Sequence, residues 1–459
     1  MKRLYAYIIL LFFCLNSWFV IAQGQFFLKD KVSEKINFEF AANLIIIPLE
    51  INGVELSFVL DTGVSKPILF NLTANDSLDL KNTKTFYLHG LGADGKIEAL
   101  KSSYNRFKIG NAVGNNQDLY VVFDTDINFT PRLGVVVHGI IGYDVFKDFV
   151  VEINYSSKYI RLHKPELFKP KTSKKWRTIP LEVYKSKPYL GAEIDFGYNS
   201  KDVKLLIDTG SSDALWLFEN KTKGIMPNDS LFFRDYLGKG LSGSVYGKRS
   251  KVKGFQLSSF NLKNVNVAYP DSVSVDTNKI YKERDGSVGG DILKRFNLFI
   301  DYNNKKLHFK KNHYYKKPFT YNNSGIVLEH NGTMFVKEEI KIPKTDGYSL
   351  NDEMNSVKID LSFSHRMLLK PMYRVVELRK SSNAYASGLR VGDILLSING
   401  KEVYNLKLNE INEILHGKTG RPIKLKVERN GEVKTFRFKL DNAFKKNEPS
   451  DWELISFLF

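Results

Sequence analysis

The chain has one cysteine in 459 residues, and that residue, Cys14, sits inside an N-terminal apolar stretch from Leu4 to Val20. Lys2 and Arg3 precede this stretch and Val20-Ile21-Ala22-Gln23 closes it, an order that reads as a secretory signal peptide over residues 1–22 with cleavage after Ala22. Cys14 then leaves with the leader. A mature chain without thiols has no disulfides, no thiol catalysis and no cysteine-bound metal. An uncleaved anchor is the competing reading, because the stretch approaches the roughly 20 apolar residues that span a bilayer, although Asn16 and Ser17 interrupt it. Membrane association is expected only in that case. A lipoprotein reading through Cys14 is weaker, since bulky Phe13 precedes it. His89, His138, His163, His308 and His313 show no metal-ligand spacing, so neither a metal nor another cofactor is expected. Acidic residues are outnumbered by 68 Lys and Arg to 50, a formal net charge of +18. The excess gathers in Lys164 to Lys175 and Lys310 to Lys317, which read as solvated connectors. No nucleic-acid reader motif accompanies the charge, and an export signal argues against a nucleic-acid partner.

What the chain does have is one stretch written twice. Ser57-Phe58-Val59-Leu60-Asp61-Thr62-Gly63-Val64-Ser65 and Lys204-Leu205-Leu206-Ile207-Asp208-Thr209-Gly210-Ser211-Ser212 are apolar runs that end abruptly in Asp-Thr-Gly. Each reads as a buried strand whose end delivers a carboxylate onto a tight turn. The shift of 147 residues carries Gly139-Ile140-Ile141-Gly142 onto Gly286-Ser287-Val288-Gly289, Asp144 onto Asp291, Phe149 onto Phe296, Ile153 onto Ile300 and Tyr155 onto Tyr302. Such a register implies an internal duplication and two similarly folded lobes.

Leu44 to Ile51, the turn Asn52-Gly53 and Val54 onward form an expected hairpin into the first Asp-Thr-Gly. Tyr189 to Ile194 and Val203 to Ile207 repeat it around a longer turn from Gly197 to Ser200. Glycine-rich segments follow in both halves, Tyr87 to Gly95 and Tyr236 to Ser244, and read as mobile hairpin tips. Short helical patterns, Tyr143 to Lys147 and Asp291 to Phe296, precede matched strands. From Val357 to Leu440 the pattern changes to a compact third domain, with strands at Tyr373 to Leu378 and Ile394 to Ile398, a helix at Leu408 to Leu415, and closing strands Ile423 to Glu428 and Val433 to Phe438. The expected organisation is a signal peptide over 1–22, a first lobe over 23–170, a second over 171–312, a connector over 313–355, the third domain over 356–442 and a tail over 443–459.

Two strand ends that meet on a pseudo-twofold axis bring Asp61 and Asp208 together, and carboxylates so placed do not both ionise near neutral pH. One shared proton then makes an acid and a base: the ionised member activates a water, and the protonated member donates to an amide carbonyl. The doubled Asp-Thr-Gly, each followed 81 residues later by Ile140-Ile141-Gly142 or Ser287-Val288-Gly289, resembles the aspartic proteases, with lobes of retropepsin size fused in one chain. The resemblance spans Phe38 to Phe309. It implies a mainly β, two-lobed β-barrel fold with Asp61 and Asp208 as the catalytic dyad, Thr62 and Thr209 bracing it across the axis, and Gly63 and Gly210 permitting the turns. It also implies flaps over a peptide or protein substrate, at His89, Gly90, Leu91 and Gly92 and at Gly240, Leu241 and Ser242. Val64 follows the first turn and Ser211 the second; a serine hydroxyl bonded to Asp208 lowers its pKa, so Asp208 is expected to be the ionised member.

The third domain resembles a PDZ domain, through Ala384 to Leu389, Gly392-Asp393-Ile394-Leu395-Leu396-Ser397-Ile398-Asn399-Gly400 and the closing strands. That resemblance implies β-strand addition of an extended peptide, commonly a protein C-terminus, in a groove expected at Leu361, Ser362, Phe363, Leu408 and Ile411. The chain's own end, Phe457-Leu458-Phe459, has side chains of a kind that suits such a groove. The expected function is an exported aspartic endopeptidase of a bacterial periplasm or cell envelope. A catalytically silent peptide-binding scaffold and a purely structural envelope protein are the other readings.

Overall fold

The computed structural model describes residues 24–72, 78–90, 95–123, 127–228, 231–275, 280–343, 349–351, 356–358 and 361–444. The leader, Leu91, Gly92 and Phe457-Leu458-Phe459 lie outside the described residues. The chain is mainly β and divides into two compact units. Met1–Asn128, Val137–Asn228 and Leu237–Pro318 form the first; Phe129–Val136, Asp229–Tyr236 and Phe319–Phe459 form the second. No helix of the described residues is long and apolar enough to cross a membrane.

Within the first unit the two lobes are built alike. In the first, strand Leu44–Ile51 carries the β-branched run Ile45-Ile46-Ile47, buried on both faces of the sheet, as such runs are in barrel cores. Asn52 and Gly53 take φ of 50° and 92°, the left-handed pair that matches a two-residue turn to strand twist. Strand Val54–Leu60 follows and pairs parallel with Gly139–Ile141, Phe58 opposite Gly139 and Leu60 opposite Ile141. In the second lobe Ser200–Ile207 pairs parallel with Gly286–Val288, Leu205 opposite Gly286 and Ile207 opposite Val288. These are the same pairs displaced by 147. Each lobe closes into a barrel, through Lys96–Ile109 on Ala112–Val121 in the first and Lys187–Asp195 on Gly243–Leu257 in the second.

A six-stranded sheet joins the lobes, in the order Arg177–Pro180, Lys306–Lys311, Phe296–Asp301, Val150–Asn154, Tyr159–His163, Ser33–Asn37. At its centre Val151 faces Ile300, Glu152 faces Phe299 and Ile153 faces Leu298. Glu152 and Phe299 are equivalent under the 147 shift, so a pseudo-twofold axis passes between them. The sheet fixes the lobes about the axis on which the two Asp-Thr-Gly turns meet.

The second unit holds the sheet Ile326–Pro343, Leu361–Leu378, Ile394–Ile398, Pro422–Arg429, Glu432–Lys439. Its core includes Ile326, Leu328, Tyr373, Val375, Leu389, Leu395 and Leu425. Asp393 of the Gly-Asp turn is buried, accepts from the Arg390 backbone N–H at 2.9 Å and is held by Arg429 through Nε at 2.5 Å and Nη2 at 2.7 Å. Two expectations are corrected here. The segment 313–355, expected as a connector, contains Ile326–Pro343, which pairs with Leu361–Leu378 from Ile326↔Leu378 to Pro343↔Leu361. That strand is integral to the sheet, so the C-terminal stretch of the unit begins at Phe319. The expected tail is described as far as Phe444, whose ring packs 5.3 Å from Phe233 and 5.7 Å from Tyr321.

The peptide groove is the second correction. Leu361, Ser362 and Phe363 lie on the outer part of this ribbon, opposite Pro343, Ile342 and Lys341, and ten or more residues before Tyr373, where the strand joins the sheet through Leu395. Leu408 and Ile411 are in the core, 2% and 0% exposed, because the apolar positions of helix Leu408–Leu415 at spacings of three and four face the sheet. Phe129–Val136 belongs to the same unit, and a Cβ on its Gly134 would stand 2.8 Å from Leu408 Cβ. The buried Leu408 and Ile411 therefore line no open groove.

Candidate active site

Each aspartate leaves its strand through the same backbone bonds. Asp61 N–H donates to the Ile141 carbonyl at 2.8 Å and Asp208 N–H to that of Val288 at 3.0 Å; Val64 and Ser211 N–H close the turns on the Asp61 and Asp208 carbonyls, both at 3.3 Å. The glycine ending the second motif is dictated by this packing. A Cβ on Gly142 would fall 1.9 Å from the Asp61 carbonyl oxygen, closer than any side chain tolerates.

The turns interlock through their threonines. Thr62 N–H donates to Thr209 Oγ1 at 3.0 Å and Thr209 N–H to Thr62 Oγ1 at 3.1 Å. The hydroxyls donate onward, Thr62 to the Ile207 carbonyl at 2.6 Å and Thr209 to that of Leu60 at 2.7 Å. Both side chains are buried, so these charge-free bonds are shielded from water and hold the two strand ends in fixed relation.

The carboxylates consequently share one space. Gly63 N–H donates to Asp61 Oδ1 at 2.6 Å. A Cβ on Gly63 would lie 3.0 Å from Asp61 Oδ1 and 3.3 Å from Asp208 Oδ1, and a Cβ on Gly210 only 2.2 Å from Asp61 Cγ. Burial, followed by the Asp208 charge, pushes the Asp61 carboxyl up to about 7. Burial also raises Asp208, but Arg284, Lys187 and the backbone N–H groups of Gly210 and Ser211 hold it down. These causes favour the shared proton on Asp61. The sequence reading assigned the lowering of Asp208 to the Ser211 hydroxyl. Ser211 acts through its backbone N–H, while its hydroxyl lies against Gly289, 3.0 Å from where a Cβ would stand.

Sequence reasoning missed several residues around the two turns. Lys187 and Arg284 are brought to Asp208 by strand pairing and carry no motif. Asp213, just beyond the second turn, is clamped by Arg249 Nη1 at 2.7 Å and Trp216 Nε1 at 2.6 Å. His138 and Asp285 are a further matched pair, accepting from the Ser57 and Lys204 backbone N–H groups, each at 2.9 Å.

The expected flaps are hairpins whose tips touch. Lys84–His89 pairs with Lys96–Ile109 up to His89↔Lys96, and Phe233–Gly240 leads into Gly243–Leu257. Gly90 N–H donates to Ser242 Oγ at 3.0 Å, and Ser242 Oγ donates to the Gly95 carbonyl at 2.9 Å. Leu241 lies against Gly90, where a Cβ would come within 2.5 Å of Leu241 Cβ. A cavity of about 560 Å³ lies between the hairpins, lined among others by Glu98, Phe123, Leu241 and Ser244. The first loop spans six residues and the second two, so the segments do not align at a shift of 147.

Residues 47–145 match the family model of the aspartyl proteases and residues 374–429 that of the PDZ domain. The crystal structure of an aspartic proteinase from Irpex lacteus is similar at 13% identity and a TM-score of 0.38, covering 62% of this chain and 99% of that one. No curated protein matches the chain. By these matches the chain carries an aspartyl-protease segment over residues 47–145 and a PDZ domain over residues 374–429, which supports an aspartic-type peptidase.

Proposed function

We propose that this chain is an exported aspartic endopeptidase in which Asp61 and Asp208 form the catalytic dyad. The observation that carries the reading is the reciprocal threonine interlock, which supports two carboxylates in one space with unequal proton affinity. Asp208 takes a proton from a water held between the carboxyls as the water oxygen bonds to the amide carbon, and Asp61 gives its proton to the carbonyl oxygen. The tetrahedral species then loses its C–N bond; the leaving nitrogen takes the proton held by Asp208, and Asp61 recovers its own from the diol. The threonines, Gly63 and Gly210 act as positioning residues. The touching hairpins serve as flaps that part to admit an extended peptide, and the repeated lobes descend from one internal duplication.

Export to a bacterial periplasm or envelope rests on the leader at residues 1–22, and the PDZ domain is assigned to recognition of substrate or partner peptides. The test is digestion of a mixed peptide library by the full chain in ¹⁸O-labelled water, read by mass spectrometry. One ¹⁸O in each new C-terminal carboxyl, in products absent from the Asp208→Asn digest, is the expected result. A folded wild type that cleaves nothing returns the chain to the silent peptide-binding reading.

A further inference from the structure

Two cations stand on the second-lobe side of the dyad, and the first lobe has neither. Pairing of Lys187–Asp195 with Ser200–Ile207 runs from Asp195↔Ser200 to Tyr189↔Leu206; continued by two residues, it sets Lys187 opposite Asp208. Directly opposed residues of antiparallel strands project to one face, so Lys187 shares the face of the Asp208 carboxylate. The same continuation in the first lobe, from Ile46↔Val59, sets Leu44 opposite Asp61, and Leu44 is a buried core residue. Arg284 stands two residues before strand Gly286–Val288. Its Nε donates to the Gly286 carbonyl at 2.9 Å and its guanidinium carbon lies 5.2 Å from the centre of the Phe218 ring. Its first-lobe equivalent at the 147 shift is Val137, fully buried.

Among the described residues neither Lys187 nor Arg284 makes an ion pair, and both side chains are partly open to solvent. The charged groups that act on Lys187 are Arg284, Asp61 and Asp208. A dyad that holds one proton carries a single negative charge, which leaves two cations in excess by one. Partly desolvated positive charge without a full complement favours an anionic ligand. Lys187 offers an ammonium, and Arg284 offers the two terminal nitrogens that its Nε bond leaves unused.

We infer that Lys187 and Arg284 form a carboxylate-binding subsite on the second-lobe side of the cleft, so that the enzyme selects peptides with an acidic group near the scissile bond. This rests on the hydrolytic reading above. The carboxylate is either an Asp or Glu side chain or the C-terminus of the peptide.

The test uses the full chain and peptides matched in pairs, Glu against Gln at each position around the cleaved bond and free acid against amide at the C-terminus. We expect one pair to differ at least about tenfold in kcat/KM in favour of the acid, the usual size of a charge-assisted contact. Lys187→Met brings that ratio close to one and Lys187→Arg keeps it; because each ratio is taken within one protein, losses common to both peptides cancel. The pair that responds tells a side chain from a terminus. Wild type that cleaves acid and neutral peptides equally at every position overturns the subsite while leaving the hydrolytic reading intact, as does a ratio that persists in Lys187→Met. Binding of the same pairs to the Asp61→Asn protein separates the two readings further. Tighter binding of acids without cleavage by wild type retains the subsite and removes the protease, and equal binding removes the subsite.

Discussion

Replacing Gly210 by alanine adds one methyl group at the most crowded point of the dyad. The backbone there does not require glycine, since its φ lies outside the left-handed region, so the effect reports contact alone. The new Cβ would stand 2.2 Å from Asp61 Cγ, 2.3 Å from Oδ2 and 2.7 Å from Oδ1. Non-bonded carbons settle at about 3.5–4.0 Å, and the Asp61 carboxyl must therefore retreat by more than about 1 Å. That retreat strains the 2.6 Å bond from Gly63 N–H and withdraws the proton donor from the substrate carbonyl. A misplacement of about 1 Å costs on the order of 100-fold in rate. The same change at Gly63 brings Cβ to 3.0 Å from Asp61 Oδ1 and 3.3 Å from Asp208 Oδ1, which a few tenths of an ångström of adjustment relieves. Gly210→Ala should lose about 100-fold or more in kcat/KM and Gly63→Ala no more than about tenfold, with melting curves confirming that both fold. Gly210→Ala within about tenfold of wild type, or Gly63→Ala the more damaging, would refute this account of the dyad.

Two further outcomes follow from the ionisable groups. With Asp61 pushed up to about 7 by burial and then by Asp208, kcat/KM should fall as pH rises through about 7 and the shared proton leaves; it should fall again in acid as Asp208 becomes protonated. Ser211→Ala should leave the acid limb in place, because the bond that lowers Asp208 is made by the Ser211 backbone; an acid limb moved by this variant would return the effect to the hydroxyl. In the PDZ unit, burial lowers His416 from 6.5 to about 4. The unfolded chain therefore takes up this proton first as pH falls, so the stabilisation is complete above about 6.5 and is lost on the way down to about 4, by up to roughly 3 kcal/mol. Denaturant midpoints of that unit should drop over this range in wild type and much less in His416→Gln; parallel curves would contradict it.

Much of the site was legible because its residues are close in sequence to one another. Asp61-Thr62-Gly63 and Asp208-Thr209-Gly210 each occupy a single turn, and Gly142 and Gly289 are demanded by packing on those turns, so one shift of 147 connects them all. The shift fails upstream. Leu44 precedes Asp61 by 17 residues and Lys187 precedes Asp208 by 21, because the second-lobe hairpin is longer; this hid the equivalence of a core leucine with a cation at the cleft. Arg284 was hidden for the related reason that its reach toward Asp208 depends on pairing across the sheet. The PDZ groove was misread because apolar residues on one helix stripe are the core in most folds, and Leu408 and Ile411 follow that rule. The ribbon formed by Ile326–Pro343 and Leu361–Leu378 drew out the strand expected at the groove.

The central claim is that Asp61 and Asp208 act as one unit sharing a single proton. Groups that act together are grossly non-additive, so the decisive measurement is the turnover of a cleaved peptide by Asp61→Asn, Asp208→Asn and the double variant. The account predicts that each single variant falls to the same background as the double. Partial losses that add up in the double variant, or full activity in either single one, would contradict it.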